Sequence, residues 1–246
     1  MNVIIVGGGT AGLISALMLK HTYPDINVKI IKSTKVGIVG VGESSTEHWS
    51  DFCDYLGIPK LDFIKKANAT FKLGVHFKNW SQNDFLHSID SRYTQMMGDY
   101  YLVYGHLISY TDEKLQSPFY WTQGLELDDL SSRQFHFDTF ELNNYLTNIC
   151  KNRNIKVIVD DLTHIKYKEN NISSVCSDKK EYKADFFLDC SGFKRFLTKD
   201  RKWKSYSNLP VNSAITFSTD EMDEYHEYTT STAQEYGWSW SIPTQT

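Results

Sequence analysis

The sequence predicts an α/β fold built on a parallel sheet, and three observations carry that expectation. An apolar strand, Val3-Ile4-Ile5-Val6, runs directly into a glycine turn and then into a helix, Leu13 to Lys20, that is apolar almost all round. Pro24 and Asp25 break that pattern before a second apolar strand, Val28-Lys29-Ile30-Ile31, which completes a βαβ unit. Further along, a capped helix followed by strands at Ile155 to Asp160 and Ala184 to Asp189 restores the alternation of helix and strand.

Composition agrees with a packed fold. Of 246 residues, 41% are apolar and 23% charged, which is ordinary for a globular protein and unlike a disordered chain. The net charge of -4, with no run of Lys and Arg, argues against a nucleic-acid or anionic-lipid surface and favours a small-molecule partner. The four cysteines, Cys53, Cys150, Cys176 and Cys190, show no C-x-x-C pair and no zinc-like spacing with the eight histidines, so they read as buried free thiols and no metal site is expected. No signal-like n-region precedes the first strand, and no apolar stretch reaches the roughly 18 residues of a membrane helix. A cytoplasmic protein without a membrane partner is the expectation.

The elements between these landmarks follow from period and punctuation. After a second glycine-rich stretch, Gly37 to Glu43, the residues Trp49, Phe52, Cys53 and Leu56 mark one helix face, and Gly57 ends that helix as its C′ residue. Residues 69–80 alternate as a single strand would, with Phe71, Leu73, Val75 and Phe77 on one face and Lys72, Gly74 and His76 on the other. From Ser81 to Arg133 no period persists and aromatics accumulate, Tyr93, Tyr100, Tyr104 and Trp121 among them, which suggests an irregular segment covering a substrate or filling a second small core. Asp138 with Glu141 forms a capping box, opening a helix with Leu142, Tyr145, Leu146, Ile149 and Cys150 on one side. A hairpin is expected around Asn170-Asn171.

The glycine turn itself, Gly7-x-Gly9-x-x-Gly12, stands where a dinucleotide requires it. The first glycine permits the turn, the second lets backbone approach a pyrophosphate, and the third lets helix and strand pack closely, with the helix N-terminus facing the anion. This pattern does not choose between FAD, NAD and NADP. About 20 positions beyond the last glycine an acidic residue should hold the ribose, and here Lys32 stands in its place. A cation there suits a 2′-phosphate, which keeps an NADP-binding reductase open, while Ser33 offers another ribose contact.

Four further segments, Gly40-Val41-Gly42-Glu43-Ser44-Ser45, Thr70-Phe71-Lys72-Leu73-Gly74, Asp189-Cys190-Ser191-Gly192-Phe193 and Gly237-Trp238-Ser239-Trp240-Ser241-Ile242-Pro243, resemble the flavin-dependent halogenases of the tryptophan-halogenase type, as does Phe135-His136-Phe137-Asp138. Trp-x-Trp-x-Ile-Pro is the most specific of these. The resemblance runs the whole length and implies a Rossmann-like FAD-binding fold of the flavin monooxygenase type with an irregular, partly β substrate region. Residues 1–80 and 134–200 would form the FAD-binding core, and 81–133 with 201–246 the substrate-covering part.

The resemblance also implies a chemistry. Reduced FAD, supplied by a separate NAD(P)H-dependent flavin reductase, would use oxygen and a halide co-substrate to make hypohalous acid, and the lysine of the Thr-Phe-Lys motif would receive it and halogenate a small electron-rich aromatic such as tryptophan or an indole. Lys72 is that lysine. By residue pattern alone it reads as a solvated strand lysine, but burial would lower its pKa and enlarge the nucleophilic fraction. Gly7, Gly8, Gly9, Thr10, Ala11 and Gly12 would hold the pyrophosphate and Ser33 the ribose side. Glu43 and Ser44 would form a strap between flavin and substrate, and Leu162 would give adenine a backbone contact. Trp238, Trp240, Ile242 and Pro243 would form the partition between flavin and substrate, with His76 and His136 structural. Members of the family continue beyond the segment matched here, so the chain is expected to be incomplete on its C-terminal side, to bind FAD weakly and to be inactive alone. A non-catalytic flavin-binding fragment is the other outcome, and a homodimer stays open.

Overall fold

A computed structural model describes residues 1–246 apart from 39, 41, 47, 73, 89–133, 209–210, 221–225 and 246. In chain order the elements are β1 (Asn2–Val6), α1 (Thr10–Thr22), β2 (Asn27–Lys32), β3 (Gly42–Ser44), α2 (His48–Leu56), α3 (Lys60–Lys66), β4 (Thr70–Phe71), β5 (Gly74–Lys78) and β6 (Phe85–Ser88). Then come β7 (Phe135–Asp138), α4 (Thr139–Asn152), β8 (Lys156–Val159), β9 (Leu162–Lys168), β10 (Asn171–Ser177), β11 (Glu181–Lys183), β12 (Phe186–Asp189), β13 (Tyr228–Gln234) and β14 (Gly237–Ser241). They form two units: Met1–Val39 with Thr139–Tyr206, and Gly40–Asp138 with Ser207–Thr246.

The first unit is the α/β core expected from the βαβ pattern. Its sheet has the order β12-β1-β2-β8 and every pairing is parallel, Val3 facing Phe186 on one side and Val28 on the other. Parallel sheets are buried on both faces, and β1 and β2 obey: Val3, Ile4, Ile5, Val28, Ile30 and Ile31 are all buried. Ile4, Val6 and Ile31 pack onto Leu162, Val175, Tyr182 and Phe196, so the antiparallel sheet β11-β10-β9 covers that face. The residues of opposite parity meet α1, which buries Leu13, Ala16 and Leu17 and lies beside α4. The β9–β10 hairpin turns on Glu169 and Asn170, both with positive φ, one residue earlier than expected. Two consecutive left-handed residues are what a tight type I′ turn requires, and Asn170 suits that conformation.

The second unit holds two sheets. One is β3-β7-β4, antiparallel throughout; the other is β14-β13-β5-β6, in which β13 and β5 run parallel. Trp49 from α2 and Phe63 from α3 meet Phe135 and Phe137 of β7 in an aromatic cluster with ring centroids 5.0–6.0 Å apart. Gly57 ends α2 with φ +62°, as its C′ role requires.

The single strand expected over 69–80 is two strands in two sheets. β4 pairs with β7, while β5 pairs with β6 and β13, and the chain changes sheet at Lys72. Alternation survives a change of sheet, which is why period alone could not reveal it. Residues 40–80 and 134–138, expected in the FAD-binding core, group with the second unit instead, because β3 and β4 are hydrogen-bonded to β7 and β5 to β13. The aromatic accumulation at Tyr93 to Trp121 lies outside the described residues. All four cysteines are free; Cys53, Cys150 and Cys176 are buried and Cys190 is partly exposed. Burial pushes the Cys53 and Cys150 thiols up to about 12, leaving them inert. Among the described residues no helix is long and apolar enough to cross a membrane, and no group of three or more His, Cys, Asp or Glu could hold a metal.

Candidate functional site

The glycine turn separates into positions that the fold fills and one that it leaves open. Gly7 has φ +116°, and a Cβ there would run into the carbonyl of Cys190; a Cβ on Gly12 would run into the carbonyl oxygen of Gly7. A Cβ on Gly8 would meet the Lys32 stem at 2.7–2.9 Å. Gly9 differs, since a Cβ there would meet nothing within 4 Å and its φ of -75° is open to any residue. Gly9 is the N-cap of α1, accepting from Leu13 N at 3.1 Å, and no side chain caps the helix. Thr10 and half-exposed neighbours follow, Ala11 being exposed and Gly12 buried. An uncapped helix start beside open space at the second glycine fits the pyrophosphate of a dinucleotide such as FAD, whose phosphates the backbone N–H groups of the first turn would bind.

Lys32 takes part in bracing the glycine turn. Its ammonium donates to Asn143 Oδ1 at 3.0 Å, and Asn143 Nδ2 donates to the Gly8 carbonyl at 2.8 Å, so a fully buried amide from α4 braces both the end of β2 and the glycine turn. Ser33 Oγ donates to Asp161 Oδ1 at 2.5 Å and accepts from Lys35 N and Val36 N at 3.1 and 3.2 Å. Thr34 adds two bonds to the same carboxylate, from N to Oδ1 at 3.0 Å and from Oγ1 to Oδ2 at 2.5 Å. The Ser33 hydroxyl, then that of Thr34, hold the Asp161 carboxyl well below the usual carboxylate range. Leu162, next in the chain, buries its side chain in the core between the sheets.

In the second unit the segments singled out by sequence converge. Lys72 is 8% exposed, although its neighbour Phe71 is 36% exposed. Its Nζ donates to Ser44 Oγ at 3.1 Å and its backbone N–H to the Gln134 carbonyl at 3.1 Å. Ser44 and Glu43 lie on β3, opposite His136 and Phe137 of β7. A Cβ on Gly42 would lie in ordinary contact with the Ile242 side chain, at 3.4–3.5 Å, so the Trp-x-Trp-x-Ile-Pro segment packs against β3 at this point. Trp238 and Trp240 stand on β14, at the edge of its sheet, 42% and 50% exposed. Ile242 is half-buried and Pro243 buried.

A buried polar chain ties these pieces together. Thr70 Oγ1 donates to the Pro243 carbonyl at 2.9 Å, so toward His136 Nδ1, 3.2 Å away, it must accept. That places the proton on Nδ1 and leaves Nε2 to accept from Thr229 Oγ1 at 2.9 Å. His136 is fully buried, and burial first, with the Lys72 cation second, pushes its pKa down to about 3 against a raising bond to the Phe71 backbone. It is a neutral, satisfied core histidine. His76 is half-buried, edge-on to Tyr228, and both of its ring nitrogens lack a hydrogen-bond partner among the described residues. Its pKa is lowered by burial and then by Lys78.

The family model for tryptophan halogenases matches residues 2–246. The chain belongs to the tryptophan halogenase family. It is 28% identical to tryptophan 6-halogenase SttH of Streptomyces toxytricini, with 98% of this chain and 55% of that protein covered, and 27% identical to 7-chloro-L-tryptophan 6-halogenase KtzR of Kutzneria sp. (strain 744), with the same coverage. The crystal structure of SttH superposes with a TM-score of 0.79 at 26% identity, covering 99% of this chain and 54% of that one; MibH, a tryptophan 5-halogenase, gives 0.82 at 25%, covering 99% and 50%. The chain thus spans about half the length of the tryptophan halogenases it matches. Three residues that build the local geometry here were not foreseen as such: Asn143 behind the glycine turn, Asp161 beside Ser33, and Thr229 behind His136. Each acts across more than 90 positions of sequence, and no local motif marks any of them.

Proposed function

We propose that this chain carries the flavin-binding and lysine-bearing part of a flavin-dependent halogenase acting on tryptophan or an indole-like ring. The observation that supports this best is the buried amine of Lys72, hydrogen-bonded to Ser44. Lysines are almost never buried without a task or a partner. When bound, reduced FAD would supply, with oxygen, the oxidising equivalents that convert halide to an electrophilic halogen.

The residues of this chain do the rest. The N–H groups at the start of α1 hold the pyrophosphate, with Gly9 leaving room for it. Lys72 presents an N–H to the oxidised halogen and delivers it, by hydrogen bond or by transient N-halogenation, to the aromatic carbon. Ser44 holds the amine in position. Trp238 and Trp240 supply bulk that keeps the organic substrate from the oxidant's source. Chloride or bromide is the co-substrate, and a separate NAD(P)H-dependent reductase is the partner.

The alternative, an NADP-binding reductase, rests on Lys32, whose ammonium gives one of its three N–H groups to Asn143; calorimetry with FAD and with NADPH separates the two readings. The test is product mass spectrometry on the full-length protein with FAD, a flavin reductase, NADH, oxygen and each halide. Lys72→Ala and Lys72→Met are expected to lower halogenation by about 100-fold or more, the scale of a lost proton-transferring or nucleophilic group, with FAD affinity unchanged. Full halogenation by either variant would overturn the reading.

A further inference from the structure

We infer that Lys32 meets the adenosine ribose of FAD as a cationic hydrogen-bond donor, so that the same site also takes an adenine nucleotide bearing a 2′-phosphate. The inference rests on the flavin reading above and deepens it. Dinucleotide-binding folds place a carboxylate near the end of the second strand where the ribose carries free hydroxyls, and a cation where it carries a 2′-phosphate. At this end of β2 the cation is the charged group left with hydrogen-bonding capacity. Ser33 gives its one proton to Asp161 and takes the N–H groups of Lys35 and Val36 on its lone pairs. Thr34 gives its proton to Asp161 as well and keeps only the lone pairs of a neutral hydroxyl. The Asp161 carboxylate receives Ser33 Oγ, Thr34 Oγ1, Thr34 N and the Lys35 N–H, which fills its roughly four lone-pair sites.

Lys32 has donors to spare. An ammonium carries three N–H groups, and Asn143 Oδ1 takes one of them, at 3.0 Å. Place agrees with capacity. A Cβ on Gly8 would meet the Cβ, Cγ and Cδ of Lys32 at 2.7–2.9 Å, so the stem runs across the glycine turn, next to the open position at Gly9. The Asn143 amide that accepts from the ammonium also donates to the Gly8 carbonyl at 2.8 Å, which ties the charge to the turn. Lys32 is partly exposed there, at the carboxyl end of a parallel strand, where such folds bind their ligands. A ribose hydroxyl oxygen can accept from this donor, and an anionic phosphate oxygen accepts about twice as strongly. NADP(H) therefore competes with FAD for the site better than NAD(H) does.

The test is calorimetry on the full-length protein with two ligand pairs whose members differ only in the 2′-phosphate, AMP against adenosine 2′,5′-bisphosphate and NAD against NADP, with FAD titrated in parallel. The wild type is expected to prefer the phosphorylated member of each pair by about 10-fold, the scale of one hydrogen bond to a charged group, with FAD the tightest ligand of all. In Lys32→Met, which keeps an apolar stem over Gly8, that preference disappears. In Lys32→Glu it reverses, because a carboxylate accepts from ribose hydroxyls and repels the phosphate. A reversal between ligands alike in every other contact cannot come from misfolding. Equal binding within each pair by the wild type, or a preference that survives Lys32→Met, would overturn the inference, and FAD binding retained in the same titrations leaves the flavin reading intact. NADP bound more tightly than FAD by the wild type would overturn the flavin reading, and the inference with it.

Discussion

Gly9 allows stability and cofactor binding to be separated by one methyl group. In Gly9→Ala the new Cβ meets no protein atom within 4 Å, and the backbone at φ -75°, ψ -178° is ordinary for alanine. Loss of chain entropy in the unfolded state favours the variant by about 0.4–1 kcal/mol, while alanine is a poorer N-cap than glycine by a similar amount. Folding stability without ligand should therefore stay within about 0.5 kcal/mol of wild type. In the proposed function that open space admits the pyrophosphate, so the methyl group is expected to weaken FAD by about 100-fold, or about 2.8 kcal/mol at 1.4 kcal/mol per factor of ten. Gly12→Ala is the control: its Cβ would collide with the Gly7 carbonyl, and the protein should lose stability whether or not FAD is present. Urea unfolding without ligand, with FAD fluorescence titration alongside, reads both quantities. A Gly9→Ala protein that binds FAD like wild type, or one destabilised as much as Gly12→Ala, would refute the reasoning.

Other outcomes follow from the polar contacts. His136 has its folded pKa lowered to about 3 against an ordinary value near 6.5, so its neutral form stabilises the fold fully above pH 6.5 and that stability drains away as pH falls toward 3; from pH 6.5 to 5 the loss is about 2 kcal/mol, measured by denaturant titration at each pH. His136→Asn should flatten the slope. Thr70→Val removes the donor to Pro243 and one of the partners of the His136 ring, a loss of about 1–3 kcal/mol in the same assay, with Thr70→Ser close to wild type. Asn143→Leu frees both the Lys32 ammonium and the Gly8 carbonyl, and is expected to lower the melting temperature and to weaken FAD at least 10-fold.

The parts of the fold that were legible are those with local causes. Three glycines after an apolar strand, with a second strand in parallel register, needed only the sequence between Val3 and Ile31. Gly57 after Leu56 announced the end of α2 in the same way. The change of sheet at Lys72 was hidden because alternation is identical in either sheet; only the partner strands, β7 for one half and β13 for the other, reveal it. Asp161 was hidden by distance, since its partner Ser33 is 128 positions away. Lys72 itself was visible by resemblance, but its neighbour Ser44, picked out as part of a strap, proved to be its hydrogen-bond acceptor, a relation that no spacing within either motif could give.

Charge explains why the histidine buried beside the lysine is held neutral. A buried amine is costly, and a second cation nearby would raise the cost. His136 avoids this by being neutral, and it stays neutral because two threonines satisfy both ring nitrogens in a fixed tautomer while burial disfavours the imidazolium. The same bonds give it a mechanical part. Through Thr70 it reaches the Pro243 carbonyl, 173 residues from Thr70 in sequence, so the strand that leads into Lys72 and the segment that carries Trp238 and Trp240 share one buried anchor. Either side chain alone could be set by local packing. Their register with one another depends on a neutral ring and on a threonine proton pointing one way.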